Sequence, residues 1–338
     1  MKKRQKKKWL KRIIVISAVS VALFFAICNI LVDVALVPEK MEQTDAFEDI
    51  TEDSMEALVH TDDIQENRTK AADATDAWVK QSQSEKLQVT TNDGYQLIGK
   101  AFFNEKPSHK WVLLLHGYTG WKEELYPIGY QYTLQGYQVL APDMRCSGES
   151  EGDFIGMGWT DRRDNLLWIQ YIIAQDPEAE IVIHGQSMGA AAALMMTGED
   201  LPSNVKAVVS DCAYTDVYDI FQKQIKEWFH LPGFPVIDGA NLMLRMRGGY
   251  NIKDASALNA VKKTKLPILF IHGDQDAFIP VKMAYELYDA ANGEKELLIV
   301  KGAGHAQSQD KNPDEYYGTV FSFLKKYIEN RSGEQNNL

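Results

Sequence analysis

An α/β architecture is predicted for this chain: a mostly parallel eight-stranded sheet with helices on both faces. Two observations lead to it. Short apolar segments alternate with helical ones from about residue 86 to 329, the pattern of a sheet covered by crossover helices. The chain has 338 residues, 45% hydrophobic and 25% charged, which suits one large core with appendages, because α/β folds of this size often form one domain.

The elements follow in order. Segments 86–91 and 95–103 read as an opening hairpin turned at Asn92-Asp93-Gly94. Segments 111–115, 138–141, 180–184, 205–210, 267–271 and 296–301 read as six further strands, buried in the body. Helices are expected at 121–134, 160–174, 188–197, 281–291 and 314–329, with a short one at 73–81 packing on the body. An insertion at about 214–265, between the sixth and seventh strands, carries Phe221, Trp228, Phe229, Phe234, Met243, Leu244 and Met246 and reads as a helical cap. Those side chains either line a pocket or pack the cap onto the core; packing is the commoner arrangement.

The N-terminus is a separate unit. Eight Lys or Arg lie in residues 1–12, followed by twenty residues, Ile13 to Val32, whose polar members are Ser17, Ser20, Cys28 and Asn29. That length spans a bilayer as a helix, so 13–37 is read as a transmembrane signal-anchor. The basic flank sets residues 1–12 in the cytoplasm and the rest of the chain outside. A cleaved signal peptide competes with this reading, but its apolar region is usually shorter and no small-x-small site follows. A lipoprotein fits poorly, because Ile27 precedes Cys28. Residues 38–72 are acidic and poor in large apolar groups, and read as a stalk unable to fold alone. Residues 331–338 read as a disordered tail.

Composition excludes several classes. The net charge is -11, and with the basic tail set aside the remainder carries -19, which repels nucleic-acid phosphates. Three cysteines, Cys28, Cys146 and Cys212, are odd in number and widely spaced, suggesting neither a disulfide framework nor a zinc site. No metal, nucleotide or dinucleotide motif is present, so no cofactor is expected.

The sharpest chemical signal is Gly185-Gln186-Ser187-Met188-Gly189, placed after the apolar strand residues 181–183 and before an alanine-rich helix. Glycines are needed there because a strand-to-helix turn this tight leaves its flanks no room for side chains, while the serine is pushed up above the sheet. With its order of motifs, residues 86–328 resemble the α/β-hydrolase superfamily. His116-Gly117-Tyr118-Thr119-Gly120 follows the third strand, where the family places its oxyanion loop. Asp143-Met144-Arg145-Cys146-Ser147-Gly148-Glu149-Ser150 resembles the family's D-x-R-G-x-G-x-S loop, with Cys146 in place of glycine.

The resemblance implies a Ser-Asp-His triad in that chain order. For the acid, the pattern after the seventh strand selects Asp276 over Asp274, which is expected to bond the turn backbone; Asp211 after the sixth strand is a further contender. His305, in Gly302-Ala303-Gly304-His305 after the last strand, is the expected base. His116, His184 and His272 each end a strand before glycine and read as histidines bonded to neighbouring backbone. The implied chemistry is attack of Ser187 on a carbonyl, with the amides of Tyr118 and Met188 holding the oxyanion. The substrate is expected to be a small-molecule or lipid-like ester; serine peptidase and acyltransferase reactions on the same triad remain open, as does a non-catalytic binding protein on a hydrolase scaffold.

Overall fold

In the central strands successive side chains face opposite sides of the sheet, and both sides are apolar. The computed structural model describes residues 2–41, 58–104, 106 and 108–328. Its eight strands are β1 (Gln83–Thr90), β2 (Gln96–Phe103), β3 (Lys110–Leu115), β4 (Gln138–Pro142), β5 (Glu180–Gln186), β6 (Val205–Asp211), β7 (Ile268–Gly273) and β8 (Lys295–Val300). They form one sheet in the order β1-β2-β4-β3-β5-β6-β7-β8. β1 and β2 pair antiparallel, β2 runs antiparallel to β4, and the remaining neighbours are parallel.

Trp111, Leu113, Leu115, Ile181, Ile183, Ile268 and Phe270 belong to one buried cluster. Val112, Leu114, Val182, Leu269 and Ile271 belong to the other. Parity along each strand thus assigns residues to two cores, which is why these strands read as unbroken apolar runs. Complete burial of each such side chain contributes about 1.5–3 kcal/mol, so the sheet interior dominates the stability of the fold.

The helices, numbered among the described residues, are α1 (Lys2–Leu36), α2 (Pro38–Met41), α3 (Asp62–Gln81), α4 (Tyr126–Leu134), α5 (Asp161–Gln175), α6 (Met188–Met196), α7 (Val217–Trp228), α8 (Gly233–Arg247), α9 (Ala257–Val261), α10 (Lys282–Ala290), α11 (Ser308–Lys311) and α12 (Pro313–Leu324). The helix expected at 121–134 divides into a 3-10 turn, Lys122–Leu125, and α4. Pro127 sits in the first turn of α4, where its missing N–H costs nothing. The insertion between β6 and β7 holds α7, α8 and α9, as expected of a helical cap.

Two expectations near the N-terminus change. The short helix expected at 73–81 begins at Asp62. Residues 58–72 of the expected stalk are also docked on the body: Arg68 donates to Asp310 Oδ2 at 2.9 and 2.8 Å, Asn67 bonds the Asp310 carbonyl, and Val59 exchanges bonds with the Gln307 amide. Composition shows only that this segment buries little by itself; the body supplies its partners. Further along α3, Trp78 lies 4.3 Å from the Phe102 ring and seats the helix against β2. Residues 42–57 of the stalk and the tail 331–338 lie outside the described residues.

In α1, Arg4–Leu36 is long and apolar enough to cross a membrane, and most side chains from Trp9 to Ile30 are exposed. Its last turns differ: Cys28, Val32, Val34 and Leu36 are buried.

The loop after β4 is held by charge. Asp143 is fully buried and accepts from Lys122 Nζ at 2.6 Å and from the amides of Lys122 and Glu149. Arg145 donates to both Asp164 and Asp93. Cys146, standing where the resembled pattern has glycine, adopts φ +62°. That left-handed conformation explains the glycine preference there. Cys146 is not among the residues lining the pocket over Ser187, and burial pushes its thiol up to about 12. Arg145→Ala leaves the Asp164 carboxylate buried without its counter-charge and should lower stability by about 3–5 kcal/mol. Lys86→Ala, which removes an exposed partner of Glu149, should cost less than about 1 kcal/mol; paired urea titrations would check the contrast.

Candidate active site

β5 ends at Gln186 and α6 begins at Met188, so one residue must make the whole turn. That residue, Ser187, has φ +56° and ψ -120°, a conformation rare for a residue with a side chain. Glycines on either side make it feasible. A Cβ on Gly185 would lie 2.2 Å from the Gly189 carbonyl oxygen, and one on Gly189 would lie 1.9 Å from the Leu115 oxygen. The turn is tied to the sheet by the Ser187 amide, which donates to the Asp211 carbonyl at 2.8 Å.

Ser187 Oγ lies 2.8 Å from His305 Nε2, and His305 Nδ1 lies 2.8 Å from Asp276 Oδ2. A carboxylate only accepts, so Nδ1 carries the proton and Nε2 accepts from the serine hydroxyl. Asp276 is buried and also accepts from the amides of Phe278 and Ile279 through Oδ1. Burial raises its pKa, but the His305 charge and the hydrogen bonds from His272 and His305 outweigh burial and hold it well below the usual carboxylate range. The Phe278 ring lies 5.0 Å from the imidazole of His305, shielding it on one side.

Of the three aspartates weighed from sequence, the fold brings Asp276 to His305. Asp274 accepts from the Gly302 amide at 2.6 Å, in the loop after β8 rather than in its own turn as expected. Asp211 lies under the elbow, where Gln186 Nε2 and the Tyr316 hydroxyl donate to it at 3.2 Å each. Burial pushes Asp211 up to about 6.

The residues expected at the oxyanion loop surround the same serine. Tyr118 and Met188 line one cavity with Ser187, and neither backbone amide has an acceptor among the described residues. His116 fixes that loop. Its Nε2 accepts from the Met144 amide and its Nδ1 donates to the Gly117 carbonyl, both at 2.8 Å. Burial lowers its pKa to about 4, so the ring is neutral and the loop position is independent of pH near neutrality.

His184 departs from the backbone role expected of it: its ring nitrogens meet the hydroxyls of Tyr132 at 3.0 Å and Tyr316 at 3.1 Å. His272 bonds the Ile279 carbonyl at 2.8 Å, as expected, and its Nε2 also lies 3.2 Å from Asp276 Oδ2. This second contact has a sequence signal, the i,i+4 spacing of His272 and Asp276, but only the loop's path makes it meaningful. Cys212, Asp276 and His305 hold donor atoms within 4.8 Å of one another. They do not suit a cation, because two of the three are bonded to each other and burial keeps the Cys212 thiol protonated.

Above Ser187 lies an apolar cavity of about 110 Å³, walled by Phe221 and Trp228 of the cap and by Val32 and Leu36 of α1. The cap aromatics thus both pack and line. No sequence signal marks α1 as part of the pocket.

Sheet order, elbow and motif sequence together define a member of the α/β-hydrolase superfamily. Within it, residues 128–331 match the prolyl oligopeptidase family, and the chain belongs to that family. It is 30% identical to the Bacillus subtilis protein YqkD, over 63% of this chain and 70% of that protein. It is 24% identical to a Bacillus subtilis carboxylesterase, over 66% of this chain and 96% of that one. A solved esterase from Pyrococcus furiosus, PF2001, superposes with a TM-score of 0.60 at 25% identity, over 73% of this chain and 92% of the esterase.

Gly189→Ala forces a Cβ into backbone and should cost more than about 2 kcal/mol in thermal unfolding. Gly318→Ala, in α12 with nothing within 4 Å, should gain about 0.5–1 kcal/mol.

Proposed function

We propose that the protein is a serine hydrolase that cleaves an acyl ester through an acyl-enzyme, held at a membrane by α1. The observation that carries the chemistry is the unbroken run from Ser187 Oγ to His305 to Asp276, each step 2.8 Å, built on a left-handed elbow. His305 Nε2 takes the serine proton as Oγ bonds to the substrate carbonyl carbon. The amides of Tyr118 and Met188 stabilise the resulting oxyanion, helped by the N-terminus of α6. Collapse of the tetrahedral species breaks the ester C–O bond, and His305 returns the proton to the leaving alkoxide. Water then attacks the acyl-enzyme by the same route, regenerating Ser187 and releasing the acid. Asp276 keeps the imidazole in the tautomer that both half-reactions need.

Ester cleavage is supported by the esterase and carboxylesterase among the similar proteins. Family membership favours a second reading, peptide cleavage, in which the same steps expel an amine. The purified full chain is expected to hydrolyse p-nitrophenyl butyrate, and Ser187→Ala should lower kcat by at least about 10³-fold. Esterase activity that survives in Ser187→Ala sinks the assignment. Turnover of peptide p-nitroanilides with no ester turnover moves the protein to the second reading.

The anchor reading places residues 1–12 in the cytoplasm and the catalytic domain outside the cell membrane. Support comes from the eight basic residues before the apolar run and from the burial of Cys28, Val32 and Leu36 on the body, which cleavage after that run would strip away. Alkaline extraction of membranes should leave the protein in the pellet at full-length mass. Recovery of a soluble, shortened chain would contradict the anchor.

A further inference from the structure

Two features of the Ser187 cavity are unused by the chemistry above. The first is its wall. α1 meets α8 so closely that a Cβ on Gly239 would lie 2.5 Å from Cys28 Sγ. The approach is fixed by polar bonds: the Ile155 amide to the Leu36 carbonyl, the Tyr118 hydroxyl to the Ala35 carbonyl at 2.6 Å, and Arg247 to Asp33 and Asn29. The apolar run therefore continues directly into the cavity, where Val32 and Leu36 face Ile237 and Leu244 of the cap.

The second is Gln224 of α7. It lines the cavity at 5% exposure, and neither its amide nitrogen nor its oxygen has a partner among the described residues. The other amide lining the cavity, Asn241, is engaged with Asn251 and the Ile252 amide. An unmatched buried polar group costs about 1–3 kcal/mol, and those that persist in folded proteins call for a specific cause. A hydroxyl answers both atoms of Gln224, since it donates and accepts. The cavity of about 110 Å³ is smaller than the ~150 Å³ apolar site that admits benzene, so at most one apolar chain enters it.

We propose that this cavity binds a single-chain amphiphilic ester, its apolar chain lying along the end of α1 and a hydroxyl of the substrate bonded to Gln224. The assignment rests on the serine esterase reading and makes the membrane helix part of the substrate site. The hydroxyl belongs either to the acyl chain or to the alcohol, and both sources present the same chemistry to Gln224.

The test uses the full chain in detergent micelles, with ethyl octanoate, its β-hydroxy derivative and monooctanoyl glycerol as substrates. Wild type should favour one hydroxyl-bearing ester over ethyl octanoate by at least about tenfold in kcat/KM, and which one identifies the source of the hydroxyl. Gln224→Leu, close to Gln in volume and apolar, should bring that ratio to within about twofold while raising Tm, because an unmatched amide leaves the interior. In a p-nitrophenyl ester series, Val32→Phe should lower turnover of octanoate relative to acetate by about tenfold, and Leu36→Ala should shift the preference to longer chains. A wild type without hydroxyl preference, a preference that survives Gln224→Leu, or chain-length profiles unaltered in both α1 variants overturns the proposal alone. Absence of Ser187-dependent turnover on every ester overturns the esterase reading and this one with it.

Discussion

Everything at the site depends on one strained residue. Ser187 holds a left-handed backbone between a buried strand and a buried helix, a cost of about 1–3 kcal/mol that the surrounding packing must offset. The offset is visible in the neighbours. Gly185 and Gly189 are the residues whose missing side chains let β5, α6 and the end of β3 pass within contact distance. The Ser187 amide is tied to β6, and α6 is buried along its whole length. With the turn fixed, the hydroxyl stands where the loops after β7 and β8 deliver Asp276 and His305.

The surroundings of the elbow are held by groups whose protonation is set by burial. His116 and His184 are neutral because desolvation opposes their charge, so they can both accept and donate. His116 uses that capacity to fix the loop after β3 to the start of the loop after β4, and His184 to join Tyr132 to Tyr316 beneath the elbow. Asp276 stays ionised in spite of its burial, because two histidine rings and two backbone amides face it. Asp211 has weaker partners and is lifted. Two buried carboxylates at this site are thus shifted in opposite directions, and the difference comes from what their oxygens accept.

The cap and α1 form the other half of the pocket. A helix exposed along most of its length becomes buried in its last turns, and that change separates a segment suited to lipid from one that belongs to the enzyme. Where α1 meets α8, Gly239 and Cys28 allow the close approach that brings Val32 and Leu36 over Ser187.

Much of this was legible in the sequence, for a physical reason in each case. Strand parity and β-branched runs record burial locally, so all eight strands could be read, and glycine spacing around Ser187 records backbone crowding within five residues. The choice of Asp276 over Asp274 followed from the resembled family's pattern after the seventh strand, which is short enough to be read from adjacent residues. Other features depended on partners far along the chain. α3 extends back to Asp62 because Arg68 finds Asp310, more than two hundred residues away. His184 bonds two tyrosine hydroxyls rather than backbone, because the path of the distant α12 brings Tyr316 to it. Cys146 could be seen to replace a glycine, but its left-handed backbone appears only in the folded loop. The wall that α1 contributes and the unmatched amide of Gln224 leave no trace in sequence, since hydropathy gives how apolar a segment is, and only tertiary packing decides which surface it covers.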